Sequence, residues 1–445
     1  MIFSSLTFLY VFLPLLMAFY FIVPGRGKNI ILMIFSLMFY AYGQPEYVWL
    51  PMLFCIFNFV SGRVIGSIKD RRRRRVMLAA GLCFDLGGLI CFKSMAFLEL
   101  PLGISFLAFQ TAAYLIDVFR EDIKPCRNIL DFSVYVTFFG KLTAGPIVRY
   151  GQIKDALAVR RQHFSDFSEG MQRFCIGLAK KVIIADNIGN FCRMLEDASQ
   201  RSVLSAWLLA VGYVLWIYYD FSGYSDMAVG LGKIFGFDFP ENFCWPLAAG
   251  SVTDFWRRWH MTLSGWFKDY VYIPLGGSRR GRVRQILNLA VVWILTGLWH
   301  GTAWKFVIWG LFFALMLAAE KAWLLKWLRR LGAVSHIYMF VVLTFAFVWF
   351  QSPDSAQACR VLSDMLGFGE VTAVSAGALY ALRSFGLLLA AAVIGAMPAA
   401  PLCRKYFGRQ TWYLNLKAVY CIGLLILCTA YLTDATYHPF IYFQF

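Results

Sequence analysis

The sequence predicts an all-α polytopic membrane protein, and three of its features support that fold class. The chain of 445 residues is 60% hydrophobic and 18% aromatic, with a mean hydropathy of +0.62, whereas soluble domains average about 45–50% apolar residues. The apolar residues gather into runs that approach the roughly 20 residues a helix needs to cross the hydrocarbon. The 42 Lys and Arg residues fall mostly in the short connections between those runs, which is the pattern that orients helices in a membrane.

The apolar runs predict about ten to thirteen membrane segments within a single domain covering residues 1–445. They lie near 2–23, 29–43, 48–66, 76–98, 103–119, 131–148, 172–192, 203–222, 285–299, 302–320, 335–351, 376–398 and 412–432. The first run lacks a basic start and a small-residue cleavage site, which favours a first spanning helix over a signal peptide. Gly and Pro interrupt the pattern around 101–103 and 140–146. Irregular backbone at membrane depth must be buried in protein or line a cavity, so re-entrant segments are expected there.

The connections between the runs alternate in charge. The basic ones are 24–28, 69–75, 119–127, 321–330 and 403–409. Between the last two of these, the connection 352–375 holds Asp354, Asp364 and Glu370 with one Arg. Because basic connections remain on the cytoplasmic side, both chain termini are expected to be extracytoplasmic.

Two other classes of protein are disfavoured by the sequence. The net charge of +17 is compatible with nucleic-acid binding, but the basic residues sit between apolar runs, so no nucleic-acid partner is expected. The eleven cysteines form no CxxC pair and no zinc-like spacing, so no metal site is expected. The stretch 149–171 mixes charged and apolar residues and predicts interfacial helices. His163 and His336 fall in connections and are expected to be solvated.

Three polar islands interrupt the apolar pattern. The first, 218–227, places Asp220, Ser222 and Asp226 at the end of an apolar run. Ionisable groups at membrane depth are costly and are therefore functional candidates.

The second island, 253–277, carries Trp256, His260 and Ser264 at intervals of four residues. Such spacing places all three side chains on one face of a continuous helix. Three cations accompany them: Arg257, Arg258 and Lys268. A cationic, aromatic neighbourhood suits the phosphate groups of an anionic ligand. An interfacial helix with Trp and Arg at the lipid headgroups gives the same spacing, and spacing alone leaves both interpretations open.

The third island is a single histidine, His300, within the apolar stretch 295–304. A neutral imidazole can take a proton from a hydroxyl and return it later, and burial favours the neutral form. Gly297 and Gly301 leave room for a ligand or another helix to approach closely. A structural histidine bonded within the helix bundle remains the alternative, because no HExxH, GxSxG or P-loop motif accompanies it.

The three islands together resemble the membrane-bound O-acyltransferase family, and the similarity is strongest to its branch of alginate and peptidoglycan O-acetylases. The resemblance extends nearly from end to end. It rests on MIFSSLTFLYVFLPL (1–15), LPLGISFLAFQTAAYLIDVFR (100–120), YYDFSGYSDMAVGLGKIFGFDFPENF (218–243), DFWRRWHMTLSGWFKDYVYIPLGGSRRG (254–281), LTGLWHGTAWKFVIWG (295–310) and PFIYFQF (439–445). The FWRRWH and GLWHG blocks, in this order and separation, are its most specific parts.

The resemblance implies a bundle of many helices around a central tunnel where a cytosolic donor meets an outer acceptor. It implies that His300, in the GLWHG block, is the catalytic base and that His260 is a second active-site residue. Trp299, Trp304 or His260 would then orient the acyl group near the developing oxyanion. The three cations of the second island would hold a phosphorylated donor, with acetyl-CoA expected, and no bound cofactor is implied.

The chain ends in FIYFQF, which is similar to the aromatic ending of a small partner peptide in related D-alanylation systems. The resemblance suggests Tyr442 as a transient acyl carrier, with an aromatic anchor at the membrane interface as the alternative.

The expected function is O-acetylation of a cell-wall or exopolysaccharide, from acetyl-CoA, by a multi-pass protein of the bacterial cytoplasmic membrane. The resemblance implies an extracytoplasmic, esterase-like acetyltransferase as partner, besides membrane lipid. One alternative is D-alanyl transfer to teichoic acid, in which a carrier protein replaces acetyl-CoA. Outside enzymes, a transporter or flippase would use the polar islands as a substrate pathway, although the sequence shows no inverted repeat.

Overall fold

A computed structural model describes residues 2–25, 27–95, 99–160, 162–198, 200–399, 406 and 410–434. Within these residues the secondary structure is helical, apart from one isolated bridge between Ser202 and Thr372. The predicted all-α class is therefore confirmed.

Twenty α-helices follow one another along the described residues. In chain order they are α1 Leu13–Ile22, α2 Gly27–Gly43, α3 Trp49–Ser67, α4 Arg71–Ser94, α5 Ile104–Arg120, α6 Ile129–Thr137, α7 Phe139–Leu142, α8 Tyr150–Ala158, α9 Phe164–Ala179, α10 Asp186–Glu196, α11 Val203–Ile234, α12 Val252–Arg258, α13 Met261–Phe267, α14 Arg282–His300, α15 Trp304–Ala319, α16 Leu325–Leu331, α17 Ser335–Gln351, α18 Ser355–Met365, α19 Ala376–Gly395 and α20 Thr411–Asp434. Tighter 3₁₀ turns occur at Pro45–Tyr47, Pro246–Ala248 and Gly332–Val334. Wider π-helical turns occur at Phe8–Phe12, Lys180–Ala185, Lys268–Tyr272 and Glu320–Leu324.

Six helical stretches of the described chain are long and apolar enough to cross a membrane. They are Pro45–Ser67, Arg71–Ser94, Val203–Ile234, Trp304–Gln351, Ala376–Gly395 and Leu416–Asp434. Two shorter apolar stretches, Phe8–Ile22 and Gly27–Gly43, accompany them. The chain is therefore a multi-pass membrane protein, while the count of ten to thirteen segments and the sidedness of the termini stay predictions.

The helical pattern breaks at both places where Gly and Pro interrupt the apolar runs. Gly103 adopts a left-handed conformation, with φ +71°, before α5 begins. Its Cα lies so close to the next break that an added Cβ would be 2.1 Å from the Leu142 carbonyl oxygen. The second break separates α7 from α8, and residues 146–149 there are not helical. These interruptions are therefore confirmed as breaks in helical structure.

The described residues form two compact units. The first comprises those of Met1–Leu178, Tyr224–Glu241 and Leu432–Gln444. Its core contains a group of rings in which Phe3 stacks on Tyr224 with centroids 4.8 Å apart. The prediction of a single domain over residues 1–445 stays a prediction.

The second unit comprises the described residues of Ala179–Gly223 and Asn242–Tyr431. It contains the FWRRWH and GLWHG blocks and therefore both candidate histidines, His260 and His300. It also contains an antiparallel pair of helices, α14 and α15, which pack against each other and are joined by the short turn 301–303.

Candidate active site

Helices α14 and α15 approach each other closely because each carries a glycine that faces the backbone of the other helix. A Cβ added at Gly297 would lie 2.3 Å from the Phe306 carbonyl oxygen, and one at Gly310 would lie 2.3 Å from that of Trp293. The prediction that Gly297 admits close approach is confirmed, and the approaching group is helix α15. The contact fixes the register of the pair around the turn that follows His300.

His300 is the last residue of α14 and is only 4% exposed. Aromatic rings surround it, with centroid distances of 4.7 Å to Trp299, 5.3 Å to Trp309 and 5.0 Å to Phe350. The Lys305 ammonium donates to the Phe350 carbonyl oxygen at 3.4 Å, which holds the end of α17 near His300. The imidazole therefore lies in an apolar, aromatic surrounding.

His260 lies at the turn between helices α12 and α13, which is called here the apex of the segment 252–280. Helix α12 ends at Arg258, Trp259 is extended, and His260 is left-handed with φ 43° and ψ 52° before α13 begins. The prediction that Trp256, His260 and Ser264 share one face of a continuous helix is therefore wrong.

The helix ends there because the preceding loop provides other partners for its backbone. The Met261 N–H donates to the Asn242 carbonyl at 3.0 Å, and the Cys244 N–H donates to the Arg258 carbonyl at 2.9 Å. Spacing within 253–277 could not show this, because the competing groups come from a separate loop.

Asn242 also fixes the His260 ring. Its side-chain oxygen lies 3.1 Å from His260 Nδ1 and accepts from the Thr262 hydroxyl at 2.9 Å. An amide oxygen only accepts, so His260 Nδ1 carries the proton and Nε2 presents the lone pair. Burial lowers the pKa of His260, which lies outside the six candidate spans, to about 3. Sequence reasoning singled out His260 and missed Asn242, which orients it.

Trp299 connects the two histidines. Its ring lies 5.9 Å from His260 and 4.7 Å from His300, measured between centroids. On another side, Phe221 of α11 meets His260 at 4.8 Å, and the adjacent Ser222 is 1% exposed. The structure thus brings together the rings of His260, Trp299 and His300, and their role in an active site stays a prediction.

Trp309, rather than Trp304, lies against His300. Trp304 is 78% exposed, whereas Trp309 is 3% exposed. The Trp256 ring on α12 packs beside Trp309 at 5.8 Å and beside Trp293 at 4.5 Å. Among the described residues, the indole N–H groups of Trp256 and Trp309 have no hydrogen-bond acceptor. Buried donors of this kind are costly to leave unmatched, so they are suited to an acceptor oxygen on a ligand.

The three cations of the second island are not equivalent. Arg258 forms an ion pair with Asp254 at 3.0 Å, within helix α12. Arg257 and Lys268 are exposed. A phosphorylated ligand at this surface would meet Arg257 and Lys268 before Arg258, because Asp254 already engages the third cation.

The carboxylates of the first island fall in different units. Asp220, in the second unit, pairs at 2.7 Å with the buried Lys181, which also pairs at 2.7 Å with Asp186. Asp226, in the first unit, pairs at 2.7 Å with Arg173. These ion pairs explain how the charges are tolerated in apolar surroundings.

The sequence also singled out two other histidines and a tyrosine near the end of the chain. His163 and His336 are exposed, as predicted. Tyr442 lies outside the described residues.

The chain is similar to one family model and to several known proteins. The family model described as "MBOAT, membrane-bound O-acyltransferase family" matches residues 122–352. A probable alginate O-acetylase of Azotobacter vinelandii is 36% identical over 423 residues, covering 88% of this chain and 84% of the relative. A peptidoglycan O-acetyltransferase of Helicobacter pylori is 31% identical, covering 84% of this chain and 81% of the relative. A teichoic acid D-alanyltransferase of Bacillus subtilis is 29% identical, covering 56% of this chain and 67% of the relative.

Proposed function

The chain belongs to the membrane-bound O-acyltransferase family, and from that premise we propose that it passes acetyl groups from cytosolic acetyl-CoA to a cell-wall or exopolysaccharide. Family membership makes the chain an O-acyltransferase, so the transporter or flippase alternative is not retained. The acetyl group and the polysaccharide acceptor are inferred from the relatives that O-acetylate alginate and peptidoglycan. The observation that carries the proposal is the pair of buried histidines, His260 and His300, on either side of Trp299.

His300 is proposed as the general base. Its neutral imidazole takes the proton of the acceptor hydroxyl while the hydroxyl oxygen attacks the thioester carbonyl. Collapse of the tetrahedral intermediate breaks the carbon–sulfur bond, and the imidazolium returns its proton to the departing thiolate. At the end of the step the imidazole of His300 is neutral again, the acetyl group is on the acceptor oxygen, and the thiol is released.

Trp309 is proposed to take the orienting role that the sequence assigned to Trp304. Its ring lies beside His300, and its N–H finds no acceptor in the described part of the chain. A donor to a developing oxyanion is worth more in such a surrounding than in water. Trp299 and His260 complete the polar groups around His300, and Trp256 supplies a second N–H that no described residue accepts.

Arg257 and Lys268 are proposed to hold the phosphate groups of acetyl-CoA, with Arg258 contributing beside Asp254. Asp220 and Ser222 of the first island line the donor route in the same proposal, while a donor-binding role for Asp226 stays a prediction. Acetyl-CoA is a substrate here, and no resident cofactor is assigned.

Tyr442 is proposed as a transient acyl carrier, because a phenolic hydroxyl can accept the acetyl group from the thioester and release it to a second hydroxyl. Tyr442→Phe keeps the ring and removes the hydroxyl, with Tyr437→Phe as the matched control. Loss of polysaccharide acetylation only in Tyr442→Phe supports the carrier, and normal acetylation leaves the interfacial anchor.

The site of action is proposed as the bacterial cytoplasmic membrane, with an extracytoplasmic, esterase-like acetyltransferase receiving the acetyl group. D-alanyl transfer remains the second candidate, since the Bacillus subtilis relative is a teichoic acid D-alanyltransferase. In that case a carrier protein replaces acetyl-CoA on the cytoplasmic face.

Labelled acetyl-CoA and the purified protein test the proposal directly. His300→Ala should remain folded and lose acetyl transfer and thioester cleavage by at least about 10²-fold. His336→Ala, which changes an exposed histidine, is the control. Retained activity in His300→Ala removes that residue from the mechanism, and an inert wild-type protein that accepts a D-alanyl carrier favours the second candidate.

A further inference from the structure

One buried carboxylate outside the histidine cluster is bonded to the backbone of α12. Glu320 follows α15 and is 1% exposed. The Val252 N–H donates to its Oε1 at 2.6 Å, and the Thr253 N–H donates to its Oε2 at 2.8 Å. The Tyr338 hydroxyl also donates to Oε1, at 3.1 Å. The first N–H groups of a helix have no acceptor within the helix. Glu320 accepts from the first two of α12, and the Ser251 hydroxyl oxygen accepts from the third, that of Asp254, at 3.0 Å.

The next residue on the same π-helical turn contacts the segment 252–280 again, near its other end. The Lys321 ammonium lies 5.7 Å from the centre of the Tyr272 ring. The Tyr272 hydroxyl accepts from the Gln285 amide at 3.4 Å, near the start of α14. The turn Glu320–Leu324 therefore contacts the segment 252–280 at its start, through Glu320, and again near its end, through Lys321.

Helix α12 connects this turn to the histidine cluster. Its first residue, Val252, is held by Glu320, and its Trp256 packs against Trp309. Two residues after it ends, His260 meets Trp299. A helix of seven residues is not stable alone, so its position depends on what holds its ends.

We propose that Glu320 is a positioning residue: its carboxylate fixes the start of α12 and thereby sets where His260 lies relative to His300. Single-turn π-helical insertions occur frequently at functional sites, and here the insertion turns Glu320 toward α12. This inference rests on the proposed function, because it assigns Glu320 a part in the same acyl transfer.

Glu320→Gln keeps the size of the side chain, so it distinguishes a positioning role of Glu320 from a contribution to stability alone. Glu320→Gln offers one acceptor oxygen where α12 presents two N–H donors, so one N–H faces an amide donor. Misplacement by a fraction of an ångström to about 1 Å lowers turnover by up to about 100-fold. Both carboxylate oxygens of Glu320 are engaged by protein groups, and Glu320 is not among the residues proposed to hold the donor. We therefore expect kcat to fall about 10- to 100-fold while KM for acetyl-CoA changes little.

Two further substitutions make the test specific. Val252→Pro removes the N–H bonded to Glu320 without changing the carboxylate, and proline suits this first helical position because Ser251 before it is extended. Glu320→Asp keeps a carboxylate on a shorter side chain and should recover part of kcat. Asp364→Asn is the matched control, because Asp364 is a buried acid of the same unit that pairs with Arg201.

The measurements are kcat, KM and thermal midpoint for each purified full-length variant with labelled acetyl-CoA. The expected result is a fall in kcat for Glu320→Gln and Val252→Pro, partial recovery in Glu320→Asp, and wild-type kcat in Asp364→Asn. If Glu320→Gln fails to fold, Val252→Pro decides alone. The positioning role is overturned if a folded Glu320→Gln or Val252→Pro variant retains the wild-type kcat, or if kcat falls equally in Asp364→Asn. An inactive wild-type protein would instead contradict the proposed acetyl-CoA activity, which distinguishes the two failures.

Discussion

The rings of His300 and Trp309 meet edge to face, with centroids 5.3 Å apart and planes at 84°. The antiparallel pairing of α14 and α15 creates this contact between residues on consecutive helices. It places beside the histidine proposed as base an indole whose N–H has no acceptor among the described residues.

Removal of the Trp309 N–H should slow acyl transfer more than it destabilises the protein. Trp309→Phe keeps an aromatic ring but deletes the donor, and loss of one oxyanion donor costs about 10²–10³ in kcat. Trp293→Phe is the control, since Trp293 belongs to the same ring cluster, 5.9 Å from Trp309. Steady-state kinetics with labelled acetyl-CoA distinguish the two variants, and equal losses in both would mean that the N–H has no special role.

Much of the fold and two of the central residues could be predicted from the sequence. Apolar length and charge placement require only local information, so the helical, multi-pass character was accessible. His260 and His300 stand out in the sequence as polar residues within apolar stretches, and the resemblance of their blocks to a family assigns them their expected roles. Asn242 and Glu320 were not found, because their importance comes from hydrogen bonds to segments that are distant in sequence. The helix break at His260 was missed for the same reason.

A methyl group at Gly297 should separate α14 from α15. The added Cβ of Gly297→Ala would lie 2.3 Å from the Phe306 carbonyl oxygen and 2.9 Å from its carbon, and backbone cannot move aside as a flexible side chain can. Overpacking of this kind costs about 1–3 kcal/mol and shifts His300 relative to Trp309. A lower thermal midpoint and reduced activity are expected, whereas Gly386→Ala, which meets nothing within 4 Å, should match the wild type.

The ion pairs around Lys181 should matter for stability. Lys181→Met leaves Asp220, which is 1% exposed, without its cation. Breaking a buried pair by removing one partner costs about 3–5 kcal/mol, so the thermal midpoint in detergent should fall clearly. The double variant Lys181→Met with Asp220→Asn removes the stranded charge and should recover part of the loss. Lys326→Met, at an exposed position, is the control; no recovery in the double variant would argue against the charge as cause.

A negative charge placed beside His260 should change how activity depends on pH. Asn242→Asp keeps an acceptor oxygen for His260 Nδ1 and Thr262, and the Asn242 side-chain NH₂ that it replaces has no acceptor among the described residues. The hydrogen bonds of the apex are therefore retained, and the variant differs from the wild type mainly in charge.

The sign of the effect follows from the charge. Burial lowers the pKa of His260 to about 3, so in the wild type this ring is neutral throughout an assay between about pH 5 and 9. A carboxylate at position 242 stabilises the imidazolium and raises the pKa of His260 by about 1–3 units. A larger fraction of the ring is then protonated at low pH, so the acid limb of kcat/KM should move upward in Asn242→Asp. Asn242→Leu, which removes the acceptor, should instead lower kcat/KM evenly across the range. Superimposable pH profiles for the wild type and Asn242→Asp would mean that the neutral form of His260 is not required for acyl transfer.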